Sequence, residues 1–200
     1  MVPDADRDEV LVRRFLDGDS SAFTALVRRH ERRVFNLAMR ILGREEDARD
    51  ATQDAFLSAL RKLSGFRGEA AFTTWMHRVT VNACYDVLRK QARGPVLHRV
   101  TEGDEPFPEP GPPTPDPADE IAGTTDVARA LAGLPIEYRA VLVLHDIQDV
   151  AYEDVARILE VPLGTVKSRL HRGRLALAKA LGLEAPREPA GPSSASERKS

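Results

Sequence analysis

The sequence predicts an all-α protein: two small helical domains, an N-terminal helical bundle and a C-terminal helix-turn-helix domain, joined by a flexible, Pro-rich, acidic linker. Three observations carry that prediction. Apolar residues recur at spacings of three and four through most of the chain. No stretch sustains the period-two alternation of a strand. Residues 94–120 hold 8 of the 14 prolines, together with 7 acidic residues against 1 basic. Proline removes backbone donors and drives the preceding residue out of the helical region.

The elements follow in order. Glu9–Asp17 reads as a short helix closed by the turn Asp17-Gly18-Asp19. A long helix spans Ala22–Leu42, with Phe23, Leu26, Val27, His30, Val34, Leu37, Ala38, Ile41 and Leu42 on one apolar face. Ser20 or Ser21 is its expected cap and Gly43 its stop. Glu45–Leu63 follows, with Ala48, Ala51, Ala55, Phe56, Ala59 and Leu63 on one side. The glycine-flanked loop Ser64–Gly68 leads to a fourth helix, Phe72–Gln91. Beyond the linker, helices are expected at Thr124–Ala132, Pro135–Ile147, Tyr152–Leu159 and Leu163–Leu181, the second opened by Pro135, where a missing N–H costs nothing. The expected organisation is therefore a first domain over 1–93, a linker over 94–120, a second domain over 121–184 and a disordered tail over 185–200.

Charge is organised by segment, although the 200 residues total only −2. Seventeen basic against 14 acidic residues give +3 over 1–93, 1 against 7 give −6 over 94–120, and 11 against 10 give +1 over 121–200. The near-neutral sum conceals a basic pair of domains and an acidic tether.

Several classes are excluded. No uncharged apolar run approaches the roughly 18 residues of a membrane span. Met1–Val10 is acidic rather than the basic start of a signal sequence, so a cytoplasmic protein is expected. Cys84 stands alone and permits neither an intrachain disulfide nor a cysteine zinc site of the usual spacing. An enzyme would need a nucleophile, a base and an orienting group, or a metal cluster. His30, His77, His98, His145 and His171 are scattered, and no glycine-rich phosphate cradle follows a strand. No catalytic residue, metal or cofactor is expected.

Three motifs carry function. Tyr152–Leu159, the turn Glu160-Val161-Pro162 and a helix opening Leu163-Gly164-Thr165-Val166 match the helix-turn-helix layout, whose second helix enters the major groove. From Val161 to Leu183 there are five basic residues and no acid. With Leu163, Val166, Leu170 and Leu177 facing the core, Thr165, Lys167, Ser168, Arg169, His171 and Arg172 face outward, where Arg and Lys fork onto guanine edges or neutralise phosphates. The third helix carries Asp47, Asp50 and Asp54 on one face, interleaved with Gln53 and followed by Phe56. This stripe suits a basic protein surface; a solvated face has the same composition, and a metal site lacks a nearby histidine. Residues 61–93 combine Arg61, Lys62, Arg67, Arg78, Arg89, Lys90 and Arg93 with Phe66, Phe72, Trp75 and Tyr85. Rings stack on unpaired bases while cations follow phosphates, although some of these rings, Trp75 above all, are as well suited to a core.

The segments DARDATQDAF, FRGEAAFTTW, VNAC and GTVKSRLHR, in this order and at this length, resemble bacterial sigma factors of the sigma-70 family, extracytoplasmic-function group, over about 22–91 and 131–174. The resemblance implies a dissociable initiation subunit that binds RNA polymerase core and gives it promoter choice. It implies that Asp47, Asp50, Gln53, Asp54 and Phe56 dock on core polymerase. It assigns Lys62, Phe66, Arg67, Arg78, Asn82, Asp86 and Arg89 to minus-ten recognition and melting, with Phe66 near the loop that captures a flipped base. Thr165, Lys167, Ser168, Arg169, His171 and Arg172 are assigned to the minus-thirty-five element. The linker of such proteins threads the polymerase channels, and a separate anti-sigma factor, commonly membrane-anchored, holds them silent. Gly173 and the LSALR wording resemble the M-type sigma factors of actinobacteria.

Three positions depart from the family pattern. Ala151 stands where a capping Ser is usual, weakening that helix start by about 1 kcal/mol unless Asp149 substitutes. Glu160 replaces the glycine of the turn, where a left-handed conformation is strained. Gly173 replaces Ala within the recognition helix, at about 1 kcal/mol in propensity. The alternative function is a stand-alone helix-turn-helix regulator that needs only 121–184 and leaves the acidic helix and basic-aromatic segment unexplained.

Overall fold

The computed structural model describes residues 4–68, 70–93 and 126–183, which form eight α-helices and no strand. The Pro-rich linker and the tail from 185 onward lie outside the described residues. The first half comprises α1 (Asp4–Leu16), α2 (Ser20–Leu42), α3 (Glu45–Lys62) and α4 (Phe72–Arg93), with a short 3₁₀ turn at Leu63–Gly65. The second comprises α5 (Asp126–Ala132), α6 (Ile136–Leu142), α7 (Tyr152–Leu159) and α8 (Leu163–Ala180). No described helix is long and apolar enough to cross a membrane.

Helix α2 is the spine of the first half. Its buried face is Ala22, Leu26, His30, Val34, Leu37, Ala38, Ile41 and Leu42, while Phe23 and Val27 are only half-buried. The cap is Asp19 rather than Ser20 or Ser21, because its carboxylate accepts from the Ser21 N–H at 3.0 Å while Arg14 Nη2 holds its other oxygen at 2.5 Å. Gly43 closes the helix at φ 78. In α3 the alanines Ala48, Ala51, Ala55 and Ala59 are fully buried, so the helix lies close against α2 and α4. Phe66, Phe72 and Trp75 form an aromatic cluster, with Phe66 5.8 Å from Phe72 and 5.5 Å from Trp75.

The expected helix after Pro135 differs from the sequence reading. It is α-helical to Leu142 and then widens into one π turn over Val143–Ile147 before Tyr152 begins α7. Asp149 does not cap α7; its φ is 55, and the cap position is Ala151, which makes no side-chain hydrogen bond. Glu160 adopts the left-handed conformation at φ 54 that a glycine would take without strain. Gly173 is explained by packing. A Cβ there would lie 3.1 Å from Leu142 Cδ1 and 3.3 Å from Tyr138 Cβ, so the missing side chain is what lets α8 approach α6.

The two halves pack on one another: α4 lies against α7, and α2 touches α5, α6 and the π turn. Arg139 sits at this seam, 5% exposed, where the C-terminal ends of α2 and α5 converge. Its Nη1 donates to the Ile41 carbonyl at 2.5 Å, and its Nη2 donates to the carbonyls of Ala132 and Leu134. Helix C-termini leave unpaired carbonyls and partial negative charge, and one guanidinium serves both. Burial lowers its pKa to about 10, still far above neutrality.

A second buried polar group lies between α1, α2 and α4. Asp8 is buried, accepts from Arg29 Nη1 at 2.6 Å and pairs with His30 Nε2 at 2.8 Å. Beside it His77, 5% exposed, has no hydrogen-bond partner on either ring nitrogen. Burial holds its pKa down at about 4, with Arg33 and His30 acting in the same direction. Because the folded value lies below the ordinary 6.5, protons bind the unfolded chain more readily. The associated stability is complete above pH 6.5 and is lost as pH falls toward 4, by roughly 3 kcal/mol for a shift of this size. Equilibrium urea unfolding across this range checks it: His77→Leu flattens the acid limb, and an acid limb identical to the parent's contradicts the assignment.

Candidate functional site

The outer face of α3 is the first candidate surface. Asp50, Gln53 and Asp54 are exposed on it, with Lys90 Nζ 4.0 Å from Asp54. Asp47 turns aside to α4, where its carboxylate accepts from Gln91 Nε2 at 2.9 Å. Phe56 is half-buried and packs against the core. Two residues that sequence reasoning missed complete the face: Leu57 and Leu60, 44% and 42% exposed. Leu57 lies seven residues after Asp50 and three after Asp54, which puts it on the acidic stripe rather than the alanine stripe; that spacing is the signal in the sequence. The face is thus apolar at one end and acidic at the other.

The second surface runs from the loop after α3 along α4. Lys62, Arg67, Arg78, Asn82, Asp86 and Arg89 are all exposed. Arg89 Nη1 donates to Asp86 at 3.0 Å. Arg78 reaches across the seam to Glu160 at 3.3 Å. Phe66 is half-buried, its ring engaged with Phe72 and Trp75. Tyr85, next along the helix, has its hydroxyl pushed up to about 12 by burial, with Arg169 acting in the opposite direction.

The third surface is α8. Lys167, Ser168, His171 and Arg172 are exposed, while Thr165 and Arg169 are half-buried. Ser168 Oγ donates to the Thr165 carbonyl at 3.0 Å. Thr165, Ser168, Arg169 and Arg172 share one face by spacing, and Lys167 and His171 flank it. Arg174 is structural, forking onto Asp146 at 3.0 and 2.6 Å. Cys84 is fully buried, its thiol pushed up to about 12 by burial, and is unreactive for that reason. Among the described residues no group of three or more His, Cys, Asp or Glu could hold a metal ion.

Two family models match: sigma-70 region 2 over residues 26–94 and sigma-70 region 4 over 124–177. The extracytoplasmic-function (ECF) RNA polymerase sigma factor SigM of Mycobacterium tuberculosis is 42% identical over 175 residues, which cover 88% of this chain and 85% of that protein. The chain belongs to the extracytoplasmic-function group of sigma factors. The RNA polymerase sigma-H factor of Pseudomonas aeruginosa is 35% identical, covering 88% of this sigma factor and 94% of that one. Among solved structures, CnrH in complex with the cytosolic domain of CnrY aligns with a TM-score of 0.64 at 27% identity, over 90% of this chain and 98% of that one. The sigma factor RpoE of Bartonella quintana, solved with the anti-sigma factor NepR, has a TM-score of 0.61 at 22% identity, covering 82% and 98%. The all-helical fold is that of these sigma factors, and the region 2 match accounts for the first half that a stand-alone regulator leaves without a role.

Proposed function

We propose that this sigma factor is a cytoplasmic initiation subunit with no chemistry of its own, which binds core RNA polymerase, directs it to specific promoters and assists melting. Residues 1–93 supply core binding and the minus-ten element, and 121–184 supply the minus-thirty-five reader. The observation that carries this reading is the outer face of α3, where Asp50, Gln53 and Asp54 stand beside Leu57 and Leu60. Two exposed leucines three residues apart on one helix face suit the apolar part of a protein contact, and the acids beside them select a basic partner. Arg78, Asn82 and Asp86 line the DNA side of α4, and Thr165, Ser168, Arg169 and Arg172 enter the major groove with α8. Contact of Arg78 with DNA breaks its exposed ion pair with Glu160, a surface pair worth about 0–1 kcal/mol. The relatives solved with anti-sigma factors support control of this chain by a separate inhibitor of that kind.

The experiment is gel filtration of the purified chain with core polymerase, followed by binding of the complex to promoter duplex. Arg169→Ala weakens binding to the upstream element by roughly 5- to 150-fold, the 1–3 kcal/mol that a bidentate pairing with a base supplies, and leaves core binding unchanged. Equal loss of core binding contradicts the role given to Arg169.

A further inference from the structure

None of the three surfaces includes the solvent face of α2, yet that face carries a dense run of cations. Arg29, Arg33, Asn36 and Arg40 recur at spacings of four, three and four, and Arg28 and Arg32 flank them. The opposite face of the helix is in the core. Arg29 is held by Asp8 at 2.6 Å. Arg32, Arg33 and Arg40 are exposed and make no ion pair among the described residues. Other arginines do have carboxylates: Arg14 with Asp19, Arg49 with Glu45, Arg174 with Asp146. Of the arginines placed on DNA above, Arg67, Arg169 and Arg172 likewise have no carboxylate among the described residues, whereas Arg78 and Arg89 pair with Glu160 and Asp86.

These side chains line a shallow cleft of about 310 Å³ with Gln148, which comes from the second half. Its lining is Arg29, Arg32, Arg33, Asn36, Arg40 and Gln148, with no apolar residue. That composition distinguishes two classes of partner. A protein interface has an apolar core of aromatic and aliphatic anchors, which this cleft lacks and the α3 face has. A nucleic-acid interface is polar and positively charged, and guanidinium forks and side-chain amides are phosphate-contacting groups. From Arg29 to Arg40 the helix rises roughly 16 Å, long enough to follow two or three successive phosphates of one strand. The unneutralised charge is also felt inside the protein, since Arg33 is among the groups that depress the basicity of His30 and His77.

We propose that the α2 cleft is a fourth contact surface, taking the phosphate backbone of promoter DNA without reading its sequence. It rests on the reading of the chain as a promoter-binding sigma factor. The contact fixes register and raises affinity while the base readers on α4 and α8 set specificity.

The test uses the chain in complex with core polymerase on promoter duplex, with affinity measured from low to moderate salt. The triple variant Arg32→Gln, Arg33→Gln, Arg40→Gln spares Arg29 and its pair with Asp8. It is expected to bind at least about tenfold more weakly at low salt, with a log K against log [salt] slope shallower by roughly 0.9 for each phosphate no longer neutralised. Discrimination between promoter and minus-ten-scrambled duplex stays unchanged, and the corresponding triple lysine variant retains the parental slope. An unchanged affinity and slope overturns the proposal, as does a variant that instead loses affinity for core, which would make the cleft a protein-binding surface. If the parental complex shows no promoter binding at all, the proposed function fails rather than this inference.

Discussion

Replacing Leu57 by aspartate is expected to lower the affinity of the sigma factor for core RNA polymerase by roughly 30- to 1,000-fold, the 2–4 kcal/mol of a missing apolar anchor plus a carboxylate buried without a partner. Leu57 is 44% exposed in the free chain and lies outside the hydrophobic core cluster. The same substitution therefore changes the thermal midpoint of the isolated protein little, as surface changes generally do. Leu60→Asp acts in the same direction. Asp47→Ala has a smaller effect on core binding, because that carboxylate is committed to Gln91 on α4. Titration of labelled sigma factor with core, alongside thermal unfolding of each variant, separates the two effects. A variant that melts early, or one that binds core normally, contradicts the role of the face.

Arg139→Ala removes a buried guanidinium from the seam. Its two terminal nitrogens serve three backbone carbonyls, from Ile41, Ala132 and Leu134. Without them those acceptors stay inside with no partner, at a cost of roughly 2–4 kcal/mol after partial access of water. For a protein of this size that lowers the melting temperature by roughly 5–15 °C. Arg139→Lys gives an intermediate loss, since one ammonium cannot reproduce a planar fork spanning two helix ends. Because the Ile41 carbonyl belongs to the first half and Arg139 to the second, the alanine variant also separates the unfolding of the halves, which differential scanning calorimetry resolves as a broadened or double transition. A single sharp transition at the parental temperature contradicts the assignment.

The contrast between these two residues shows what a sequence can reveal. The helices are legible because their apolar spacing is local, and the buried set of α2 follows the three-and-four pattern closely. Outward-facing Lys167, Ser168, His171 and Arg172 are legible for the same reason: once Val166 and Leu170 are buried, helix geometry dictates the rest. Leu57 and Leu60 are legible by the same geometry, since their spacing from Asp50, Gln53 and Asp54 puts them on the outer face, but two leucines on a polar face do not by themselves announce a contact. Arg139 and Asp8 are harder still. Their partners, Ile41 and His30, lie 98 and 22 residues away, and nothing in the local pattern distinguishes them from solvated charges. Gly173 reads as a weak point in a helix until Leu142 and Tyr138 are seen against it. Asp19 does not stand out as a cap because the serines that follow it are themselves good caps.

Whether this chain gives core polymerase its promoter choice is decided by run-off transcription from a library of upstream fragments of the native genome, using purified core with and without the chain. Discrete start sites are expected only when the chain is present, and the Leu57→Asp variant is expected to produce none at the same concentration. Transcripts identical to those of core alone, from a chain that does not co-elute with core yet binds a palindromic duplex by itself, would contradict that role.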